Sequence, residues 1–251
     1  MPDTIVQIYE IQTPEEAQAM VSLGVKHIGS VITSLEHRHD PIIRETISTV
    51  HRLGAVSSLI PLYTDPDAIF ETLDYYRSDI VHFCDTLQDG NGHGIDAALS
   101  LQESVRRRFP GIQIMRSIPI GRAPAANGNV VLEMARLLEP VSDFFLTDTI
   151  KNGQSKDRDD DQPVTGFVGI TGLTCDWRVA AQLVDQSRIP VILAGGISPE
   201  NVSEGVRRVR PYGVDSCTLT NAVDDNGCPI RFKKDLVRVK ALVNQTRLAD
   251  G

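Results

Sequence analysis

The feature that most constrains this chain is an end-to-end alternation of short apolar runs with longer amphipathic segments. Strands are expected at Ile5–Tyr9, His27–Ile32, Ala55–Ile60, Ile80–Cys84, Ile112–Ser117, Phe144–Asp148, Val191–Ala194 and Gly213–Cys217. Helical periodicity falls near Pro14–Leu23, Ile42–Leu53, Pro66–Tyr76, Ile95–Phe109, Val130–Leu138, Trp177–Gln186, Pro199–Val209 and Arg231–Asn244. Eight of each, joined mostly by short connections, favour an α/β architecture: a closed (β/α)8 TIM barrel as a single domain over residues 1–251. A doubly wound open sheet is the rival. The 251-residue length suits one such barrel, although two smaller domains would also fit.

Composition narrows the partners. The chain is 41% apolar and 23% charged, ordinary for a protein that buries a sizeable core. Its formal charge of −8 argues against a nucleic-acid partner, and Arg106-Arg107-Arg108 reads as the cationic last turn of a helix. No apolar run approaches the ~18 residues a membrane span needs. A strand follows Pro2-Asp3 almost at once, so no signal peptide is expected. Cys84, Cys175, Cys217 and Cys228 are widely spaced without a CxxC, which suggests reduced thiols and a cytoplasmic protein. A monomer or homodimer that binds a phosphorylated small molecule is expected.

The stretch PVILAGGISPENVSEGVRRVRPYGVD carries the phosphate argument. A strand ends in Gly195-Gly196, Ser198-Pro199-Glu200 reads as a capped helix start, and a second strand follows at Gly213. Paired glycines let an anion approach backbone N–H groups that a Cβ would shield. A tight turn without a ligand is the alternative. The longest connection, Thr149 to Thr174, holds an acidic middle, QSKDRDDDQP, expected to be a solvated turn. Its glycine- and threonine-rich end, TGFVGITGLTCDW, is a candidate lid.

In a barrel, side chains at the C-terminal strand ends face the active mouth. That rule selects Gln7, Tyr9, Glu10, Arg38, His82, Cys84, Asp85, Arg116 and Asp148. Tyr9 could instead be core, and Arg116 with Asp148 an internal ion pair. His37-x-His39 with Asp40 invites a metal reading, and His82 with Cys84 shares one strand face, yet no third ligand follows from spacing. No metal is expected.

These residues resemble phosphoribosylanthranilate isomerase of tryptophan biosynthesis. VQIYEIQTPEEAQAMVSLGVKHIGSVI looks like the first βαβ unit of that family. FFLTDT with GITGLTCDW is similar to its aspartate strand and loop, and LAGGISPENV with VRPYGVD to its phosphate end. The resemblance implies an Amadori rearrangement of an aminoaldose to an aminoketose by acid–base catalysis, with no cofactor. Asp148 would be the general acid, and Arg38 would hold the anthranilate carboxylate. Gln7, His82 and Arg116 would be further substrate contacts, and Gly172, Gly195, Gly196 and Thr218 would hold phosphate.

The chain departs from the family at the base, where Tyr9 stands in place of a cysteine. A phenol titrates near ~10 and a thiol near ~8.5. Glu10 replaces a glycine and is another candidate base, provided the strand end is bulged to turn it inward. Cys84, at a family histidine, is a third. Cys217-Thr218-Leu219 stands for the family's Ser-Ser-Gly, with the Thr218 and Thr220 hydroxyls able to compensate. An isomerase of a phosphorylated sugar derivative is the expectation. The alternatives are a phosphosugar lyase, aldolase or epimerase on the same barrel, and a non-catalytic phosphometabolite binder.

Overall fold

The structure, a computed structural model, describes residues 3–87, 94–122, 128–149, 166–169 and 171–251. The acidic stretch 154–163 lies outside them. Eight strands close a parallel barrel in sequence order, β1 pairing with both β2 and β8. The strands are β1 (Ile5–Ile8), β2 (His27–Ile32), β3 (Val56–Pro61), β4 (Ile80–Phe83), β5 (Gln113–Ile120), β6 (Phe144–Thr149), β7 (Val191–Leu193) and β8 (Gly213–Ser216). Around them lie α1 (Pro14–Ser22), α2 (Pro41–Arg52), α3 (Pro66–Tyr76), α4 (Ile95–Arg108), α5 (Gly128–Leu138), α6 (Trp177–Gln186), α7 (Val202–Val209) and α8 (Leu236–Asp250). The TIM barrel read from the alternation is therefore the fold, and the open sheet is not.

Local chemistry starts the helices where it should. Thr13, Asp40, Asp65, Asp176 and Asp235 cap α1, α2, α3, α6 and α8 by accepting first-turn N–H groups. Proline occupies the first turn of α1, α2 and α3, where its missing N–H costs nothing. The α7 start differs from expectation. Ser198 receives the Glu200 N–H at 3.2 Å in a turn, and the helix begins only at Val202. Asn201 holds that turn by donating to Gly196 O (2.8 Å) and accepting the Ser198 N–H (2.9 Å).

Strand alternation sorts the side chains into two cores. Val6, Ile8, Phe145, Leu193 and Val214 face the helices, whereas Tyr9, Met115, Phe144, Leu146 and Ile192 pack inside the barrel. The interior is polar for a core: Gln7, Ser58, His82 and Ser117 are all buried there. Tyr9 crosses it, its hydroxyl bonded to Ser58 Oγ (2.6 Å) and His82 Nδ1 (2.8 Å), with Ser117 Oγ at His82 Nε2 (2.9 Å). Its ring occupies the space over Gly29 on β2, where an added Cβ would overlap ring carbons.

The expected last helix begins too early in the sequence reading. Arg231 to Lys234 belong to a strand, β10 (Pro229–Lys234), paired antiparallel with β9 (Asn221–Val223). This hairpin follows β8 and is tied to the barrel by charge. Arg231 Nε donates to Glu10 Oε1 at 2.8 Å and its second nitrogen bonds the same oxygen. The Phe232 N–H reaches Glu10 Oε2 at 3.3 Å, and Lys234 Nζ donates to Cys217 O at 3.0 Å. Glu10 adopts φ 63°, the local left-handed turn that redirects its side chain to the mouth.

Removing Arg231 leaves a buried carboxylate short of a partner. Arg231→Met is expected to destabilise the protein by about 1–3 kcal/mol, below the cost for a fully enclosed pair because Arg231 is partly exposed. Burial alone would raise the Glu10 pKa, but Lys234 and Arg231 hold it below its ordinary value. The stabilisation is therefore complete above the unfolded value near ~4.3 and lost as pH falls through the folded value. Urea unfolding across this range should show the difference between variant and parent narrowing on the acid side; a gap independent of pH would contradict the assignment. Gly29→Ala should cost about 1–3 kcal/mol through overpacking, and Tyr9→Leu in the same chain should recover most of it. Additive losses in the double variant would remove that account.

Candidate active site

A cavity opens at the C-terminal ends of the strands. Val31, Ile60, Leu62 and Leu146 line one apolar side, and Gly172, Gly195, Gly196, Thr218 and Leu219 line the other. Tyr9, Glu10, His82, Cys84, Asp148 and Asp215 also face it. Part of the connection after β6 returns over the mouth as a strap. Phe167 bridges Asp85 in antiparallel fashion, the Thr86 N–H donates to Gly166 O (2.8 Å), and the Val168 N–H donates to Cys84 O (2.7 Å). Of the segment expected to be a lid, residues 166–169 lie along the Cys84–Thr86 side of the mouth.

The strap partly covers Asp148, which is half-buried. A Cβ on Gly169 would sit 2.7 Å from Asp148 Oδ2, so only glycine, here at φ 119°, lets the backbone lie on the carboxyl. Burial pushes the Asp148 pKa up to about 7, although the Thr149 N–H donates to Oδ1 at 2.7 Å and pulls it back. A carboxyl with that pKa holds its proton for part of the time at neutral pH, as a general acid requires.

Three candidate bases are ill suited. Burial drives the Tyr9 phenol well above its ordinary value, and its hydroxyl is already engaged by Ser58 and His82. Burial likewise raises the Cys84 thiol, reinforced by Asp85 and Asp148, so a thiolate there is costly. Glu10 does turn into the mouth, as a bulged strand end would allow, but its charge is spent on Arg231 and Lys234. His82 is lowered to about 3 by burial and by Arg116, so it is a neutral hydrogen-bonding group at the cavity floor.

Three expected substrate contacts, Arg38, Arg116 and Gln7, do not line the cavity. Arg38 does not line the cavity; its Nε donates to Glu71 Oε2 at 2.9 Å and another nitrogen to Leu35 O at 3.0 Å. Arg116 is buried on the outer face of β5 and pairs with Asp85 at 2.6 Å rather than with Asp148. Gln7 lies under the cavity, below its lining. His37 bonds Ser34, His39 packs on Tyr75 and Asp40 caps α2, which uses up the metal motif. No cluster fit for a metal occurs among the described residues.

The two glycines expected to hold phosphate follow β7 on the cavity wall. Gly195 and Gly196 have φ 85° and 62°, and a Cβ on Gly196 would lie 2.6 Å from the Leu173–Thr174 backbone. Glycine is thus required twice, for conformation and for close approach of a neighbouring chain segment. The amides of Gly195 and Gly196 donate to no described residue. Thr218 is present on the same wall, in a short 3-10 turn, Thr218–Thr220.

Sequence reasoning missed Asp215. Register places it beside Gln7, and Gln7 Nε2 donates to its Oδ1 at 3.1 Å. Burial pushes its pKa up to about 7, against the Gln7 hydrogen bond; Asp148 adds to the rise and Lys234 opposes it. The signal was present in the alternation of β8, where Val214 faces out and Asp215 must face in.

Comparison with known proteins adds the lineage. The profile described as PRAI, N-(5'phosphoribosyl)anthranilate (PRA) isomerase, matches residues 131–245. The N-(5'-phosphoribosyl)anthranilate isomerase of Methanocella arvoryzae is 27% identical, over 98% of this chain and 99% of its own length. Isomerase 2 of Methanosarcina mazei is 30% identical over 88% of this chain and 87% of its own. In fold, the chain is similar to phosphoribosylanthranilate isomerase of Thermotoga maritima, with TM-score 0.66, 20% identity and coverage of 97% and 98%. A second structure, solved with reduced 1-(o-carboxyphenylamino)-1-deoxyribulose 5-phosphate, gives TM-score 0.66 at 18% identity with the same coverage. By its similarity across nearly the whole length of these relatives, the chain belongs to the N-(5'-phosphoribosyl)anthranilate isomerase family.

Proposed function

We propose that this protein catalyses the Amadori rearrangement of N-(5'-phosphoribosyl)anthranilate to the corresponding aminoketose, a step of tryptophan biosynthesis. The observation that carries this reading is Asp148: a half-buried carboxyl at a strand end, with pKa about 7, on the cavity that also holds the glycine doublet. Asp148 protonates the ring oxygen as the bond from that oxygen to C1 breaks, and the nitrogen lone pair forms a C1–N double bond. The sugar phosphate lies against Gly172, Gly195, Gly196 and Thr218, where backbone N–H groups take the anion. The aromatic ring lies toward Val31, Ile60 and Leu62. The free cysteines, and the absence among the described residues of any helix long and apolar enough to cross a membrane, fit an enzyme of the cytoplasm.

A second reading, another phosphosugar substrate on the same barrel, is favoured by Arg38 being engaged by Glu71 outside the cavity. Turnover of phosphoribosylanthranilate at ordinary enzyme rates decides for the first reading, and its absence beside turnover of another aminoaldose phosphate decides for the second. In the first case, Asp148→Asn is expected to lower kcat by ~10²-fold or more, with inorganic phosphate still bound. Because the acid must be protonated, kcat/KM of the parent should fall as pH rises past about 7. Undiminished turnover in Asp148→Asn would end the acid assignment.

A further inference from the structure

The rearrangement needs a proton acceptor at C2 of the sugar as well as a donor at the ring oxygen, and Tyr9, Cys84 and Glu10 are each withdrawn from that task. We propose that Asp215 is the general base of this site and that Gln7 is its positioning residue. This rests on the reading of the reaction given above.

The geometry supports it at four points. Asp215 projects inward from β8, Asp148 inward from β6, and the glycine doublet at the end of β7 stands between them. Both carboxyls line one cavity, so a sugar whose phosphate occupies the doublet passes between acid and base. Gln7 Nε2 holds Asp215 Oδ1 at 3.1 Å, and Gln7 is itself held by His27 Nδ1 at its Oε1 (3.3 Å). An amide fixes the carboxylate without cancelling its charge, which a lysine at that place would do.

The groups facing Asp215 complete the account. On β1 they are Gln7 and the Tyr9 phenol, on β6 the Asp148 carboxyl, after β8 the Cys217 thiol, and on β10 the Lys234 ammonium. Tyr9 and Cys217 are neutral because burial raises both. Lys234 is drawn toward Cys217 O and Asn221 Oδ1, so its charge acts on Asp215 only from a distance. The two carboxyls repel as anions, which favours one shared proton between them near neutral pH.

The step then balances. Asp148 gives its proton to the ring oxygen, and the opened sugar carries a C1–N double bond with a positive nitrogen. Asp215 takes the proton from C2, the C–H pair forms the C1–C2 double bond, and the C–N pair returns to nitrogen. The C2 hydroxyl proton passes to Asp148 while Asp215 returns its proton to C1, so the ketone forms and both carboxyls are restored.

The test compares the purified parent with Asp215→Asn and Gln7→Lys, using phosphoribosylanthranilate across ~pH 5–9. Asparagine keeps an oxygen for the Gln7 amide, and thermal unfolding with inorganic phosphate binding checks that the site survives. The expected result is a kcat lowered by ~10²-fold or more with KM changed little, and loss of the decline below about pH 7. Gln7→Lys should move that acid-side decline to lower pH by about one unit or more while the decline on the alkaline side stays. A purely structural role for Gln7 would lower stability or raise KM without moving the profile. Turnover within about threefold of the parent in folded Asp215→Asn, or an unmoved acid limb in Gln7→Lys, overturns the proposal. An inactive parent overturns the underlying reaction instead, so the two failures are told apart; if Asp215→Asn does not fold, the Gln7→Lys profile decides.

Discussion

Carboxyl groups buried at one rim of the barrel, and what neutralises each, organise this structure. Asp85 gives its charge to Arg116 across 2.6 Å, in a pair sealed beneath the helices. Glu10 gives its charge to Arg231 and Lys234 and thereby anchors the hairpin β9–β10. Among the described residues Asp148 and Asp215 have no cationic partner of that kind; a backbone amide holds one and a neutral side chain the other. An unpaired buried carboxyl must either protonate or destabilise the fold, and both respond by titrating near neutrality. Charge is cancelled where the rim needs rigidity and left over where it needs chemistry.

The middle of the barrel shows a different solution to polar burial. Ser58, Tyr9, His82 and Ser117 form a continuous hydrogen-bonded row of neutral groups. Such a row rigidifies the cavity floor because each member satisfies its neighbour, and breaking one leaves another unpaired. It also explains why a phenol can occupy the family's cysteine position without becoming reactive. Its proton is shared within the row and its anion would find no solvent.

How much of this was legible in the sequence follows from which signals are local. The eight strand–helix units were readable because each carries its own periodicity, and caps such as Asp65 and Asp176 sit beside the helices they start. The glycine doublet was readable as a close-approach site for the same reason. The fates of Arg38 and Arg116 were not, because their partners Glu71 and Asp85 are far along the chain and opposite charges abound. Asp215 was hidden by context. As part of GVD it marks a strand, and only the barrel register that sets it against Gln7 reveals an unpaired acid. The hairpin was misread as helix because PIRFKK is short, basic and continuous with the amphipathic segment of α8.

The peptide at Gly169 rests on the Asp148 carboxyl in the space a methyl group would need. The space over this acid is therefore set by a covering segment that only glycine permits. Partial cover by the strap raises the cost of the anion, so the carboxyl keeps its proton to a higher pH than a fully hydrated one. The shape of the mouth beside Asp148 and the protonation of that carboxyl thus depend on the same few residues.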